Sequence, residues 1–169
     1  MACNSSKKVQ ASNGALDKMI AQERYQITVK AMQPMLTAAM TQISNSGLIA
    51  PGNTVNRIEV SGSGYFVRIE GDSVSANLPY YGERQIGGGL GNAPSIVFDG
   101  VATDFQITEN EVKKSYSITF NSDTTAESYR LRLNIFPNLS STIQVLSSHR
   151  TQIRYTGVVS EIDQKQISK

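Results

Sequence analysis

At 169 residues the chain has the length of one domain, long enough to bury a sizeable core without a second unit. Its 16 Lys and Arg against 14 Asp and Glu leave a formal charge of +2, and the cations are scattered along the chain, so no segment carries the basic footprint that nucleic acid requires. No apolar run reaches the length of a membrane-crossing helix, and a single cysteine excludes an internal disulfide.

That cysteine, Cys3, stands ahead of any hydrophobic periodicity, after Met1 and Ala2 and before the polar tract NSSKKVQASNG. A thiol in front of the fold is not core. A small residue followed by Cys resembles the end of a bacterial lipoprotein signal, with Ala2 before the cut and Cys3 as the lipid-bearing residue; the charged and apolar parts of such a signal are not in the chain. Residues 1–14 then read as a tether with a root-mean-square span of about 20 Å, and residues 15–169 as a single β-rich domain.

From Ala15 to Glu23, Leu16, Met19 and Ile20 fall at helical spacing, with Asn13 placed to cap the start. This short helix is expected to act as a lid on one end of a β core. The period then drops to two. In YQITVKA, Tyr25, Ile27, Val29 and Ala31 alternate with polar residues, as in a strand with one wet face. The stretch from Met32 to Asn56 fits either a helical turn after Pro34 or an extended segment, and Asn45 to Asn53 reads as loop.

Strands follow in close succession. Ile58 and Val60, then Tyr65, Val67 and Ile69, alternate inward; Gly71-Asp72 is a two-residue hairpin signal; Val74, Ala76 and Leu78 return on one face. After a glycine-rich stretch, SIVFDG and VATDFQITEN continue with Val101, Phe105 and Ile107 expected inward and Asp99-Gly100 read as a turn. The last third alternates most clearly, through Tyr116, Ile118 and Phe120; Tyr129, Leu131, Leu133 and Ile135; Ile143 and Val145; and Ile153, Tyr155 and Val159. Turns are expected at Asn121 to Thr124, Pro137 to Asn138 and Ser147 to Arg150. About nine or ten short strands joined by tight turns, plus one helix, predict a mainly β fold: an antiparallel β-sandwich or partly closed β-barrel.

The segment LPYYGERQIGGGLGNA, Leu78 to Ala93, raises the question of phosphate binding. A phosphate loop needs its glycines between a strand and a helix. Here they run through Pro94 into another strand, with no Lys-Ser or Lys-Thr, so a β-to-β connection is the better reading. Its functional alternative is a loop that closes over a ligand at a barrel mouth, built from Tyr80, Tyr81, Glu83, Arg84, Gly87, Gly88 and Gly89. Tyr80 and Tyr81 point to opposite faces of an extended backbone, so one of them is expected to be exposed.

Catalytic chemistry has little to build on, and no cofactor or metal motif is present. His149 lies in a turn beside Arg150, whose charge opposes protonation, and no serine sits in a nucleophile elbow. Glu83, Asp99 and Asp104 are the carboxylates from which an acid and base pair for glycan hydrolysis would be drawn. Arg130, Arg132 and Arg154 are expected to share an outer sheet face, by default a solvated charged face, whose functional alternative is to meet an anionic sugar or lipid headgroup.

With these residues in place, the chain resembles domain of unknown function 4251, a family of exported proteins from Gram-negative gut bacteria. The likeness rests on LPYYGERQIGGGLGNAPSIVFDG and on SYRLRLNIF followed by IQVLSSHRTQIRYTGVV, and spans Tyr25 to Asp163. It departs at Glu83 and Arg84, where relatives carry Arg-Ala. The resemblance implies an exported, commonly lipid-anchored domain and no known activity. The expected protein is therefore a non-enzymatic cell-envelope lipoprotein, anchored to a membrane through Cys3 on its periplasmic or outer-membrane side. Its expected partner is a small ligand, a glycan or an envelope protein.

Overall fold

The computed structural model describes residues 14–35, 41–42, 46, 51–54, 56–81 and 95–162. Cys3, Asn13 and the glycine stretch with Glu83, Arg84, Gly87, Gly88 and Gly89 lie outside the described residues. The elements are α1 (Gly14–Ala21), β1 (Arg24–Pro34), β2 (Ile58–Glu59), β3 (Phe66–Glu70), β4 (Ser73–Pro79), β5 (Ser95–Val101), β6 (Thr103–Asn110), β7 (Ser115–Asp123), β8 (Ser128–Ile135), β9 (Ser140–Ser147) and β10 (Ile153–Glu161).

All ten strands belong to one antiparallel sheet in the order β5-β4-β3-β1-β10-β9-β8-β7-β6, with β2 added against β1. The two ends of that order, β5 and β6, follow each other in the chain with only Ala102 between them. One length of chain thus pairs with β4 along its first part and with β7 along its second. The sheet returns on itself across this segment as a nearly closed barrel, with β5 and β6 each paired on one side only among the described residues.

Alternation decides what fills the barrel. Ile27, Ile69, Leu78, Ile118, Leu131, Leu133, Ile143 and Tyr155 are buried without measurable exposure, each from an inward position of a strand. The helix closes one end: Leu16, Met19 and Ile20 are buried, each stabilising the lid by about 1.5–3 kcal/mol. Asp17 accepts a hydrogen bond from the Tyr116 hydroxyl at 2.9 Å, which fastens α1 to β7. Next to the Asp17 and Glu109 carboxylates that phenol is pushed up to about 12, burial being the largest cause.

Several expectations change in detail. β1 extends through Pro34 into the undecided stretch, and the turn placed at Asn121 to Thr124 falls after Asp123, where β7 ends. Asp99-Gly100 is no turn: both residues are inside β5, opposite Ser75 and Val74. Val101 and Ile107 are 67% and 37% exposed rather than inward. Ile96 and Phe98 fix the inward parity of β5, which turns Val101 out. A register shift between Thr103 and Gln106, with Asp104 at a φ of 52°, then resets the parity. Phe105 comes inward and stacks on Phe120, ring centres 5.9 Å apart; Ile107 follows on a terminal strand paired on one side only.

Candidate functional site

The end opposite α1 gathers the polar side chains of interest. β4 ends there at Pro79, β8 and β10 begin there, and β9 finishes at Ser147. Tyr80 and Tyr81 leave β4 on opposite faces, as their adjacent positions require: Tyr80 is 8% exposed and Tyr81 54%. Tyr80 therefore belongs to the closure of the barrel, and Tyr81 to its outer surface.

Hydrogen bonds from two tyrosines tie the end of β4 to the start of β10, although β3 and β1 lie between them in the sheet. The Tyr155 hydroxyl donates to the Pro79 carbonyl at 2.7 Å, and the Tyr80 hydroxyl bonds the Thr151 hydroxyl at 2.8 Å. These contacts cross the mouth of the barrel. Tyr155→Phe leaves the Pro79 carbonyl buried without that partner, and is expected to lower unfolding free energy by about 1–3 kcal/mol in urea denaturation; an unchanged midpoint would show that the bond does not hold the mouth.

Below Tyr80 lies a buried ion pair. Arg150 Nε stands 3.0 Å from Glu127 Oε1 and 3.1 Å from Oε2, with both side chains 4% exposed or less. The guanidinium also lies over the Tyr80 ring, 5.0 Å from its centre, a cation–π arrangement. Ser147 donates its hydroxyl to Glu127 Oε1. Burial alone raises the Glu127 carboxyl, but hydrogen bonds from Ser147, Tyr129 and Arg150, and the charge of Arg150, outweigh it and hold the group below the usual carboxylate range. Burial raises the Tyr80 and Tyr155 phenols above their ordinary range, so both remain neutral donors. Aromatic packing joins the far wall, with Phe98 of β5 and Tyr129 of β8 at 5.6 Å.

Glu127 and Arg150 went unmarked as a pair in the sequence, since both sit at strand connections where no periodicity applies. The signal that would have found them is a charged residue at each of two neighbouring turns of one meander, β7–β8 and β9–β10. Outside this cluster a cleft of about 310 Å³ opens beside Tyr129, Ser147, Ser148, Asn121, Asp123 and Arg130. His149 is half-buried, its Nδ1 2.6 Å from Ser148 Oγ.

Of the carboxylates considered for hydrolysis, Glu83 lies outside the described residues, and Asp99 and Asp104 do not converge on the mouth. Asp99 is exposed on the outward side of β5, and Asp104 accepts a hydrogen bond from Asn121 Nδ2 at 2.7 Å near the β5–β6 kink. Among the described residues no group of three or more His, Cys, Asp or Glu is placed to hold a metal ion. Arg130, Arg132 and Arg154 do share the outer face: Arg132 and Arg154 both stand opposite Gln144, and Arg130 opposite Leu146.

Comparison with known proteins bears on the whole barrel. None of the curated proteins matches the chain. A crystal structure of a DUF4251 family protein from Bacteroides eggerthii DSM 20697 is similar in fold, with a TM-score of 0.61 at 8% identity, over 89% of this chain and 87% of that one. The family model described as "Domain of unknown function (DUF4251)" matches residues 7–159, from ahead of the lid helix to the last strand. A match of that extent, with the family's fold reproduced, places the chain in the DUF4251 family, to which it belongs.

Proposed function

We propose that the protein is a lipid-anchored domain of the bacterial cell envelope, on the periplasmic or outer-membrane side, that works as a binding or structural module and not as an enzyme. Residues 1–14 are its tether, Cys3 its point of acylation, and residues 15–169 the domain held off the membrane. The observation that carries the reading is how the mouth is used. Tyr80, Glu127, Arg150, Thr151 and Tyr155 bond one another or the backbone and close the barrel, which leaves no acid and base facing a common space there among the described residues. A glycan hydrolase would need two carboxylates about 5–10 Å apart across a cleft, and Asp99 and Asp104 do not supply them.

Binding then belongs to the outside of the mouth. Tyr81, exposed where the glycine stretch begins, offers apolar area with a polar tip. It is the described residue of the stretch Tyr80, Tyr81, Glu83, Arg84, Gly87, Gly88 and Gly89 that stands open to an envelope partner, a glycan or another protein. Changing Cys3 to Ala in the precursor is expected to move the protein from the membrane fraction to the soluble fraction of lysed cells. Retention in the membrane fraction would sink the anchor.

A further inference from the structure

The formal charge of +2 conceals a separation of charge around the barrel. On β1, β8, β9 and β10 the outward side chains include Lys30, Arg130, Arg132 and Arg154 and no carboxylate. Glu161 ends β10 on the inward parity. Register places Arg132, Gln144, Arg154 and Gln33 in one row across four strands, so the two guanidinium groups rise from strands roughly 10 Å apart. Beside the wall, β3 adds one cation, Arg68, bonded to Gln26 at 2.8 Å and lying over Phe66, and one carboxylate on the same face, Glu70, opposite Arg24. The carboxylate of β2 beside this wall, Glu59, is paired with Arg57 at 2.7 Å.

The opposite wall has the other sign. β5 and β6 carry Asp99, Asp104 and Glu109 and neither Lys nor Arg. In the strand order β10 is central and β5 and β6 are the two ends that meet, so Asp99 and Glu109 stand away from β10, whereas Asp104 reaches the edge of the basic wall through Asn121, which bonds both Asp104 and Arg130.

We propose that the wall formed by β8, β9, β10 and β1 docks on the phosphate-bearing surface of a bilayer, with the acidic β5–β6 strand turned outward. The cations are spread over a convex sheet face, with Arg130 beside one cleft and Arg154 beside another rather than gathered in a single one, which suits an extended surface better than a single small anion. Guanidinium groups bind phosphate through paired N–H donors, and on the same face the exposed Leu146, opposite Arg130, and Val158, four residues beyond Arg154 on β10, supply apolar contact at headgroup depth. The choice of a bilayer as occupant rests on the reading of Cys3: a tether of about 20 Å keeps the barrel within reach, and one lipid group plus a basic patch is an arrangement that holds proteins at membranes.

The test uses the whole chain with Cys3→Ala, so that no acyl group contributes, in sedimentation with phosphatidylcholine vesicles with and without phosphatidylglycerol. Binding is expected on the anionic vesicles alone, lost at high salt, and weakened at least about tenfold by Arg132→Glu with Arg154→Glu. Lys18→Glu with Lys113→Glu, two cations off the wall, is expected to leave it nearly unchanged, and the unfolding midpoint of each variant reports that the barrel is intact. Equal binding to neutral vesicles, no binding at low salt, or equal loss with the control pair would overturn the proposal. Salt-sensitive self-association abolished by Asp99→Lys would also overturn it, in favour of a second copy of the chain as occupant. Failure of the anchor alone would appear in the cell fractionation of Cys3→Ala and leave the vesicle result standing.

Discussion

Glu127→Ala is expected to destabilise the protein by about 3–5 kcal/mol, the cost of removing one partner of a buried ion pair. Arg150 would remain beneath Tyr80 with its Nε facing a space from which both carboxylate oxygens had gone, and Ser147 would lose its acceptor. Equilibrium unfolding in urea measures the loss. Combining Glu127→Leu with Arg150→Met removes both charges, so the double variant is expected to lose much less than the sum of the two single losses. Additive losses would mean that the pair is not a unit.

The same carboxyl gives the pH dependence its sign. Its folded value is depressed, so its stabilisation is fully present above the value for an unfolded Glu, about 4.3, and disappears as pH falls through the lower folded value. Wild-type stability is therefore expected to fall with acidification below about pH 4. Glu127→Ala should show a shallower fall over the same interval; parallel curves would assign the acid sensitivity to other carboxylates.

Gly157→Ala is expected to cost about 3 kcal/mol, at the upper end of what overpacking a close-packed interior costs. A Cβ at this inward position of β10 would lie 2.5 Å from the Thr28 carbonyl oxygen and 2.8 Å from Ile27 Cγ2. The nearer contact is main chain, so relief requires β1 and β10 to move apart where Val29 and Gly157 are paired. Gly100→Ala is the control: it also lies within a strand, a Cβ there meets nothing within 4 Å, and its effect should stay within about 0.5 kcal/mol. Comparable losses at the two sites would point to β propensity rather than to close approach.

The inside of the barrel was legible because period-two alternation is a direct statement about burial. Tyr129, Leu131, Leu133 and Ile135 read as inward and are buried, and the opposed exposures of Tyr80 and Tyr81 follow from the same rule. Leu16, Met19 and Ile20 gave the lid by their helical spacing. The β5–β6 segment was misread because alternation carries meaning only while the register holds. At Asp104 a left-handed backbone and a register shift change the parity, and no side chain announces the change. The mouth was half legible: Tyr80 and Tyr81 were legible there as residues of opposite faces, but the Glu127–Arg150 pair that holds it depends on two connections meeting in space. The separation of charge was hidden for a related reason. Sequence counts sum the two walls, whereas the sheet order sets them on opposite sides.

Among the described residues the first strand pairs with the last. β1 lies between β3 and β10, and the register runs from Tyr25 opposite Glu161 to Pro34 opposite Ile153. During synthesis β1 emerges first and can find β3 early, but its other edge has no native neighbour until the final strand has left the ribosome. Folding of such a chain is governed by its most distant contacts and is slow for its size. Until the last strand arrives, the apolar side of β1 must be kept from other chains, so loss of the final residues of β10 would expose the centre of the sheet and not merely fray its end.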